Sequence, residues 1–427
     1  MEGAVKQLGL SNYLIDKKKN AVSYFQHKYE NYKDFVIHSN ILPIDSFRYN
    51  DTASIRLDRY ANYGDLIANI FIEFTLPTLS TTSTGASTGW CNGVGNAIFK
   101  EITLRIGNDI YGRITGEYLD IWGELSTSGK GISTYRQMVR KYSAHNYDTF
   151  KGGKVTVPLQ FWFCRSISES YKSNKSLVFP MTSLVSGSNV NEIILEFKLR
   201  QFSDLTISED DTTPTELAIT NANLLVDYII LEKDERLMFQ PSPDSDRHYI
   251  KNHIITQVQL IEENIEANAL SKKIDLSALK YPVSELIWVI RTNVAENANQ
   301  YFNYGDSLDT INSNPINKVE FKFEGSDRMR ELNAEYYSQK EIINKHTNNP
   351  NTFIHVFSFA LDPENFAQPS GICNFSDIDT SLLILKFNSG ILASKLLLFA
   401  INYNVMQIGP HGGVSLLHNL SGSTPEQ

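Results

Sequence analysis

Cysteine is scarce in this chain: Cys91, Cys164 and Cys373 are the only three in 427 residues, far apart and odd in number. They form no CxxC pair and no Cys/His ligand pattern, so neither a disulfide framework nor a zinc site is expected to organise the fold, and the thiols are expected to be reduced. No run of about 18 apolar residues occurs, which argues against a membrane-spanning helix. Residues 1–14 lack a basic segment followed by a long apolar one, so no secretory signal is expected. Positive charge is also in short supply, with 39 Lys and Arg against 48 Asp and Glu for a net charge of -9. A surface that wraps nucleic acid needs a basic face, so no direct nucleic-acid contact is expected.

Catalytic signatures are missing too. There is no Walker A, HExxH or GxSxG pattern. Gly93-Val-Gly95-Asn-Ala-Ile starts like a nucleotide loop, but it lacks the third glycine and follows a Ser/Thr-rich stretch, so it reads as a plain loop. The nine histidines are scattered, and the nearest pairs, His248 with His253 and His411 with His418, lie among neither cysteines nor clustered carboxylates. Packing is the expected role for them, not metal binding. Glu209, Asp210 and Asp211 read as a solvated charge run, not a calcium loop. No catalytic, cofactor-binding or metal-ligating residue is assigned. The best remaining chemical candidates, His411 and Cys373, are expected to serve folding or assembly. Asn-x-Ser/Thr sequons stand at Asn50, Asn174, Asn374 and Asn419, but without a route to a lumenal compartment they read as chance. Lys17-Lys18-Lys19, preceded by Val5, Leu8, Leu10 and Leu14, fits either an amphipathic arm that touches a membrane or a smaller protein, or a terminal tail.

What is present belongs to a folded β protein. Hydrophobic content is 41% and aromatic content 11%, and the length suits two domains of roughly 200 residues each. Short β-branched or aromatic runs separated by Gly, Ser, Asn and Pro fall at 35–39, 66–76, 102–106, 155–163, 192–199 and 224–231. A second set follows at 254–261, 286–291, 318–323, 353–359, 382–387 and 396–408. Such runs predict strands. Helix-forming composition is confined to 117–125 and 328–343, each placed between strands like an insertion. The halves echo each other: Val155-Thr-Val-Pro-Leu-Gln-Phe-Trp-Phe163, Glu192-Ile-Ile-Leu-Glu-Phe197 and Leu224-Leu-Val-Asp-Tyr-Ile-Ile-Leu231 are answered by Phe353-Ile-His-Val-Phe-Ser-Phe359, Leu382-Leu-Ile-Leu-Lys-Phe387 and Leu396-Leu-Leu-Phe-Ala-Ile-Asn-Tyr403. The fold class expected is all-β, two tandem eight-stranded sandwiches built from Greek keys, with short helical insertions. The Pro-rich segment Gln240-Pro-Ser-Pro-Asp-Ser-Asp246 reads as the linker, and 79–89 and 203–215 as exposed loops.

Five segments then resemble one family. The segment Pro363-Glu-Asn-Phe-Ala-Gln-Pro-Ser-Gly-Ile-Cys-Asn-Phe-Ser-Asp-Ile-Asp379, leading into an apolar strand, is similar to a signature of the major capsid proteins of nucleocytoplasmic large DNA viruses of eukaryotes. Tyr24-Phe-Gln-His-Lys-Tyr-Glu-Asn-Tyr-Lys-Asp-Phe35 resembles the family's opening aromatic pattern, and Tyr63-Gly-Asp-Leu-Ile-Ala-Asn-Ile-Phe-Ile-Glu-Phe74 its Gly-Asp-Leu-Ile strand. Val226-Asp-Tyr-Ile-Ile-Leu-Glu-Lys-Asp-Glu-Arg236 and Ala400-Ile-Asn-Tyr-Asn-Val-Met-Gln-Ile408 with Gly412-Gly413 resemble the strands that close each half. One departure stands out: Asp377 follows Asn374-Phe-Ser376 where the family commonly has Arg.

The resemblance implies a double jelly roll, divided as an N-terminal arm (1–23), a first jelly roll (24–239), a linker (240–246) and a second jelly roll (247–427). It implies a shell subunit, not an enzyme, with no cofactor. Three copies would form a pseudo-hexagonal capsomer tiling the icosahedral capsid of a virion assembled in the host-cell cytoplasm. The implied partners are the homotrimer itself, neighbouring capsomers, minor capsid and penton proteins, and an internal viral membrane through the arm. A carbohydrate-binding or glycan-processing β-sandwich is the rival reading, since 21 Tyr, 23 Phe and 4 Trp supply ample aromatic surface.

Overall fold

The computed structural model describes residues 33–79, 87–142, 150–164, 178–185, 191–209, 214–239, 251–308, 313–388, 390–409 and 413–417. The expected arm and linker, the Lys17–Lys19 cluster, Asn174, Asn419, Asp210, Asp211, His248, His411 and His418 lie outside the described residues.

The first half contains β1 (Phe35–Pro43), β2 (Thr52–Arg56), β3 (Leu66–Leu76), β4 (Thr88–Trp90), β5 (Phe99–Ile106), β6 (Asp109–Ile114), β7 (Gly153–Pro158), β8 (Ile193–Leu199), β9 (Thr206–Ser208) and β10 (Thr220–Leu231). The second contains β11 (Lys251–Ile265), β12 (Ser271–Asp275), β13 (Pro282–Thr292), β14 (Ile316–Phe323), β15 (Ser326–Asn333), β16 (His355–Ser358), β17 (Cys373–Asn374), β18 (Ser381–Phe387), β19 (Ser394–Ile408) and β20 (Val414–Leu416). Two four-stranded sheets, β1-β10-β3-β7 and β2-β8-β5-β6, face each other in the first half. The second repeats the order with β11-β19-β13-β16 and β12-β18-β14-β15. The minor strands β4, β9, β17 and β20 decorate this framework. Every chain-adjacent pair of framework strands that changes sheet makes a Greek-key crossing, so each half is an eight-stranded jelly roll, as the runs of apolar residues predict.

In the first jelly roll the strands alternate. Along β3, Ile70, Ile72, Phe74 and Leu76 enter the core, while Phe71, Glu73 and Thr75 between them remain half-buried. The second jelly roll departs from this pattern: nearly every residue of β13 and β19 is buried. Register explains it. Leu286 pairs with Ala400 and Phe357, and this row packs in the core of the second jelly roll. The next row, Ile287 with Phe399 and Val356, points the other way and joins the core of the first. A strand covered on both faces reads as a continuous apolar run, and Leu396-Leu-Leu-Phe-Ala-Ile401 is such a run.

Three expectations need correction. The stretches 79–89 and 203–215 are not simply exposed loops: Thr88–Trp90 (β4) is buried and pairs with Thr206–Ser208 (β9), and Leu79 and Leu205 are buried. The segment 328–343 is not one helix: its first part is strand β15, followed by the short helical turns Tyr336–Lys340 and Glu341–Lys345. Glu324 and Gly325, at φ 51° and 73°, form a tight two-residue hairpin loop after β14. Positive φ at both central residues matches the twist of paired strands, and pairing with β14 overrides the helix-forming composition that follows. The run 155–163 also stops short, with β7 ending at Pro158. Proline has no N–H to continue the ladder.

Truncating Phe399 to Ala should open a cavity where the two cores meet and destabilise the protein by about 3–5 kcal/mol. Ile41→Ala, at an exposed edge-strand position, should stay within about 0.5 kcal/mol of the parent. Equilibrium denaturation midpoints of the two variants check the contrast.

Candidate functional site at the seam between the jelly rolls

The connection from β6 to β7 carries the helix Gly116–Ser126, in which every residue is buried. Thr115 caps it, its hydroxyl accepting from the Tyr118 amide at 3.2 Å. Two of its glycines are demanded by contact. A Cβ on Gly116 would sit 2.2 Å from the Asn96 carbonyl oxygen, and one on Gly123 would sit 2.1 Å from the Tyr135 hydroxyl. One side of the helix meets the second jelly roll: the Tyr118 ring lies 5.6 Å from that of Phe399, and Trp122 packs on Phe366 and His346 at 5.5 and 5.9 Å.

Glu117, Asp120 and Glu124 are spaced so that they share one flank of this helix, and all three are buried. Each must be compensated, because an isolated carboxylate cannot be held charged away from water. Glu117 Oε1 accepts from Arg200 at 2.7 Å and from Arg291 of β13 at 3.0 Å, so one oxygen ties the jelly rolls together. Arg200 also donates to the Ala97 carbonyl at 2.8 Å, and its guanidinium lies 4.2 Å from the centre of the Tyr301 ring. Burial alone would raise the Glu117 pKa, but Arg200 and Arg291 outweigh it and hold the carboxyl down to about 2. Lys141 donates to Asp120 at 2.7 Å and approaches Glu124 at 3.1 Å, while Arg136 makes a two-pronged contact with Glu124 at 2.7 and 3.0 Å. Asp120 is pushed up to about 6 by burial, against the pull of Lys141 and with the added repulsion of Glu124.

Near the other end of the helix, His346 bridges two carboxylates, Nε2 to Glu285 at 2.9 Å and Nδ1 to Glu364 at 3.0 Å. Both nitrogens face acceptors, which requires the imidazolium. Burial would lower the His346 pKa, yet Glu285 and Glu364 raise it to about 10. Buried His355 has no such partners, and desolvation takes it down to about 4. Amide side chains complete the seam: Asn348 donates to the Glu124 carbonyl at 2.7 Å, and Asn299 to the Ser203 and Thr206 carbonyls at 2.9 and 2.8 Å. Of these, the Glu117–Arg291 pair and the Asn348 and Asn299 amides bridge the two jelly rolls, while the Lys141, Arg136 and His346 ion pairs each brace one side of the joint. Their charges are neutralised by one another, which suits a structural joint.

The residues singled out in the sequence sit elsewhere. Gly93, at φ 71°, leads into the short buried turn Val94–Ala97. Cys91 and Cys164 are buried and Cys373 is half-buried on β17. Burial pushes the Cys91 thiol up to about 12 and raises the other two. His253 is half-buried on β11, where burial and Lys251 lower its pKa. Asn50 is exposed and Glu209 lies beside strand β9. Among the described residues, no group of three or more His, Cys, Asp or Glu is placed to hold a metal ion.

The signature segment 363–379 forms the crossing between β16 and β18. Gly371, at φ 156°, passes so close that a Cβ would lie 2.3 Å from the Phe359 carbonyl oxygen. The Ser370 hydroxyl closes the loop by accepting from the Asp362 amide at 2.9 Å, and Phe375 plugs the core below. Asp377 accepts from the Asn374 side chain at 2.6 Å, a local contact at the surface. The carboxylates of the seam, by contrast, drew no attention in sequence. The available signal was a helix apolar on most sides and also acidic at 117, 120 and 124, which a solvent-facing helix would not combine.

Comparison with known proteins agrees with this architecture. Residues 23–232 match the family model described as major capsid protein N-terminus, and residues 247–412 the one described as large eukaryotic DNA virus major capsid protein. The chain is 28% identical to the major capsid protein of Pyramimonas orientalis virus, with 81% of each chain covered. It is 24% identical to that of Phaeocystis pouchetii virus, covering 81% of this chain and 86% of the other. Among solved structures, VP54 of PBCV-1 superposes with a TM-score of 0.74 at 20% identity over 93% of this chain and all 100% of the other. The Faustovirus major capsid protein gives 0.70 at 11% identity over 90% and 92%. At such identities the structural matches speak for the fold.

Replacing Glu117 by Gln should cost about 3–5 kcal/mol by removing the carboxylate that buried Arg200 and Arg291 share, Arg291 keeping only the part-exposed Glu296 at 3.2 Å. The pH dependence should have two limbs. The folded pKa of Glu117 is depressed, so its contribution is present above about 4.5 and lost as pH falls towards 2. That of His346 is raised, so its contribution is present below about 6.5 and lost as pH rises towards 10. Thermal melting across pH should show the alkaline limb flatten in His346→Gln while the acid limb persists.

Proposed function

The chain belongs to the family of major capsid proteins of large eukaryotic DNA viruses, and from that membership we propose that three copies close into a pseudo-hexagonal capsomer that tiles the facets of an icosahedral shell. It is a capsid component of the virion. The observation that carries the capsomer reading is the pair of jelly rolls of one topology fused by a buried, charge-compensated seam. Two like blocks held rigidly side by side supply two corners of a six-cornered ring, and a threefold axis supplies the other four. The work done is mechanical, consistent with relatives that are named capsid proteins.

We extend the reading to the partners. Neighbouring capsomers, minor capsid and penton proteins would contact the outer surfaces of this ring, and segment 1–23 with Lys17–Lys19 would reach an internal membrane during assembly in the host cytoplasm. Domain limits of 24–239 and 247–427 are proposed for the two jelly rolls. The sugar-binding rival is weakened by the placement of its aromatics: Trp90, Trp122, Trp162 and Trp288 are all buried, leaving no indole platform for a sugar ring.

Sedimentation of the purified chain should give a species of three times 48.4 kDa. A monomer persisting at micromolar concentration would remove the capsomer reading, and one retained on a glycan column would favour the rival. Deletion of residues 1–19 should leave the trimer intact and impair shell assembly; loss of the trimer on deletion would assign the segment to the capsomer itself.

A further inference from the structure

Lys141 is placed unlike the lysines that make surface ion pairs. Lys154, Lys272 and Lys395 pair with carboxylates while their own side chains are 61%, 32% and 28% exposed. The Lys141 side chain is only 10% exposed, and its two carboxylates, Asp120 and Glu124, are fully buried. Its Nζ stands 2.7 and 2.9 Å from the oxygens of Asp120 and 3.1 Å from Glu124 Oε1, with the centre of the Phe302 ring 5.5 Å away. A primary amine and a carboxyl from two pieces of chain, the segment after the helix Ile132–Val139 and the helix Gly116–Ser126, therefore meet away from water, with a second carboxylate touching the amine. Two buried polar atoms of the cluster have no hydrogen-bond partner among the described residues. One is Asn96 Oδ1, on an amide whose nitrogen lies 3.5 Å from Asp120 Oδ1. The other is the Tyr304 hydroxyl, on which Asp120 is the strongest charge acting.

We propose that Lys141 and Asp120 condense to an isopeptide bond with Glu124 as the base, so that the helix of the seam is fastened covalently to the chain that follows it. Burial works against the charge on Lys141, but Asp120 and Glu124 outweigh it and keep the pair ionic at rest. Asp120, pushed up to about 6 by burial, is the carboxylate that takes a proton. Transfer of one Nζ proton to it leaves a neutral amine against a carboxylic acid, the form that reacts. A turn about Cβ–Cγ presents the carboxyl carbon to the amine, and contact distance removes the need for an encounter. As the C–N bond forms, Glu124 takes a second proton from Nζ and returns it to the Asp120 hydroxyl, which leaves as water. Asn96 Nδ2 is in reach of the oxygen that becomes negative on the way. An ammonium and a carboxylate thus become an amide and water, and Glu124 keeps its ion pair with Arg136. The product holds one buried ion pair fewer, which favours it in a dry interior. The link also closes the segment 120–141 into a loop, which restrains the unfolded chain.

Intact mass spectrometry of the full-length chain, purified, held overnight at neutral pH and then denatured, tests the bond. The parent should weigh one water less than its sequence. Trypsin should not cut after Lys141, and digestion should give a branched peptide joining residues 141–151 to residues 114–130. Lys141→Arg should keep the full sequence mass. Asp120→Asn should form the same link with loss of one ammonia in place of one water. Glu124→Gln, without a base at the amine, should remain mostly unlinked over the same period. A parent that releases residues 142–151 as a linear peptide, cut after Lys141, overturns the proposal. Complete linkage in Glu124→Gln overturns the role given to Glu124. The reading on the parent decides the bond even where a variant fails to fold.

Discussion

Desolvated charge at the seam is the constraint on which the rest of the molecule depends. Glu117 reaches its cations only if three separate pieces of chain are in place: the helix after β6, the end of β8 at Arg200, and β13 at Arg291. Remove any one and the buried cluster loses part of its charge compensation, a loss larger than that of an ordinary surface ion pair. Apolar contact between the jelly rolls supplies adhesion. The ionic contacts supply a unique register, since Phe399 against Tyr118 could tolerate a slide that Arg291 against Glu117 could not. At the far end the contact that crosses is the Trp122 ring against His346, whose two carboxylate partners lie in its own jelly roll.

That joint makes sense of unevenness in the two halves. The first jelly roll alternates in and out like an antiparallel sheet with one wet face. The second has a central pair of strands buried on both sides, and it contributes Phe399, Ile287 and Val356 to its neighbour's core. Two copies of one topology have therefore diverged in burial according to what lies on their outward faces. For a shell subunit this matters mechanically: load passing from one jelly roll to the other meets close-packed side chains and paired charges.

Much of this was legible in the sequence. Strands such as β3 and β19 announced themselves because burial in a sheet selects β-branched and aromatic residues in short runs, and Leu396-Leu-Leu-Phe-Ala-Ile401 carried the signature of two-sided burial. The minor framework strands β2, β6 and β12 were not legible, being short and mostly polar on one face. Segment 326–333 misled because Arg, Met, Glu and Leu favour a helix locally, and only the tight loop at Glu324-Gly325 marks the hairpin. The seam was hidden for a different reason. Glu117 meets Arg200 and Arg291 at separations of 83 and 174 residues, and pairing at that range leaves no trace in local periodicity. A stripe of acids on a helix reads as a solvated face until the fold brings the cations to it.

The two-sided burial of β13 and β19 bears on the order in which the chain can fold. A sheet whose outward face is finished by another jelly roll cannot reach its final stability alone; until the earlier half has formed, Phe399 and Ile287 face water. Synthesis from the N-terminus delivers the first jelly roll and its helix before the strands that need them, so the nascent first half can act as a template for the second. The long sequence separations across the seam make that last docking step slow relative to local hairpins. A half-made chain would carry an apolar sheet face able to associate with its neighbours, and vectorial synthesis keeps the interval of exposure short.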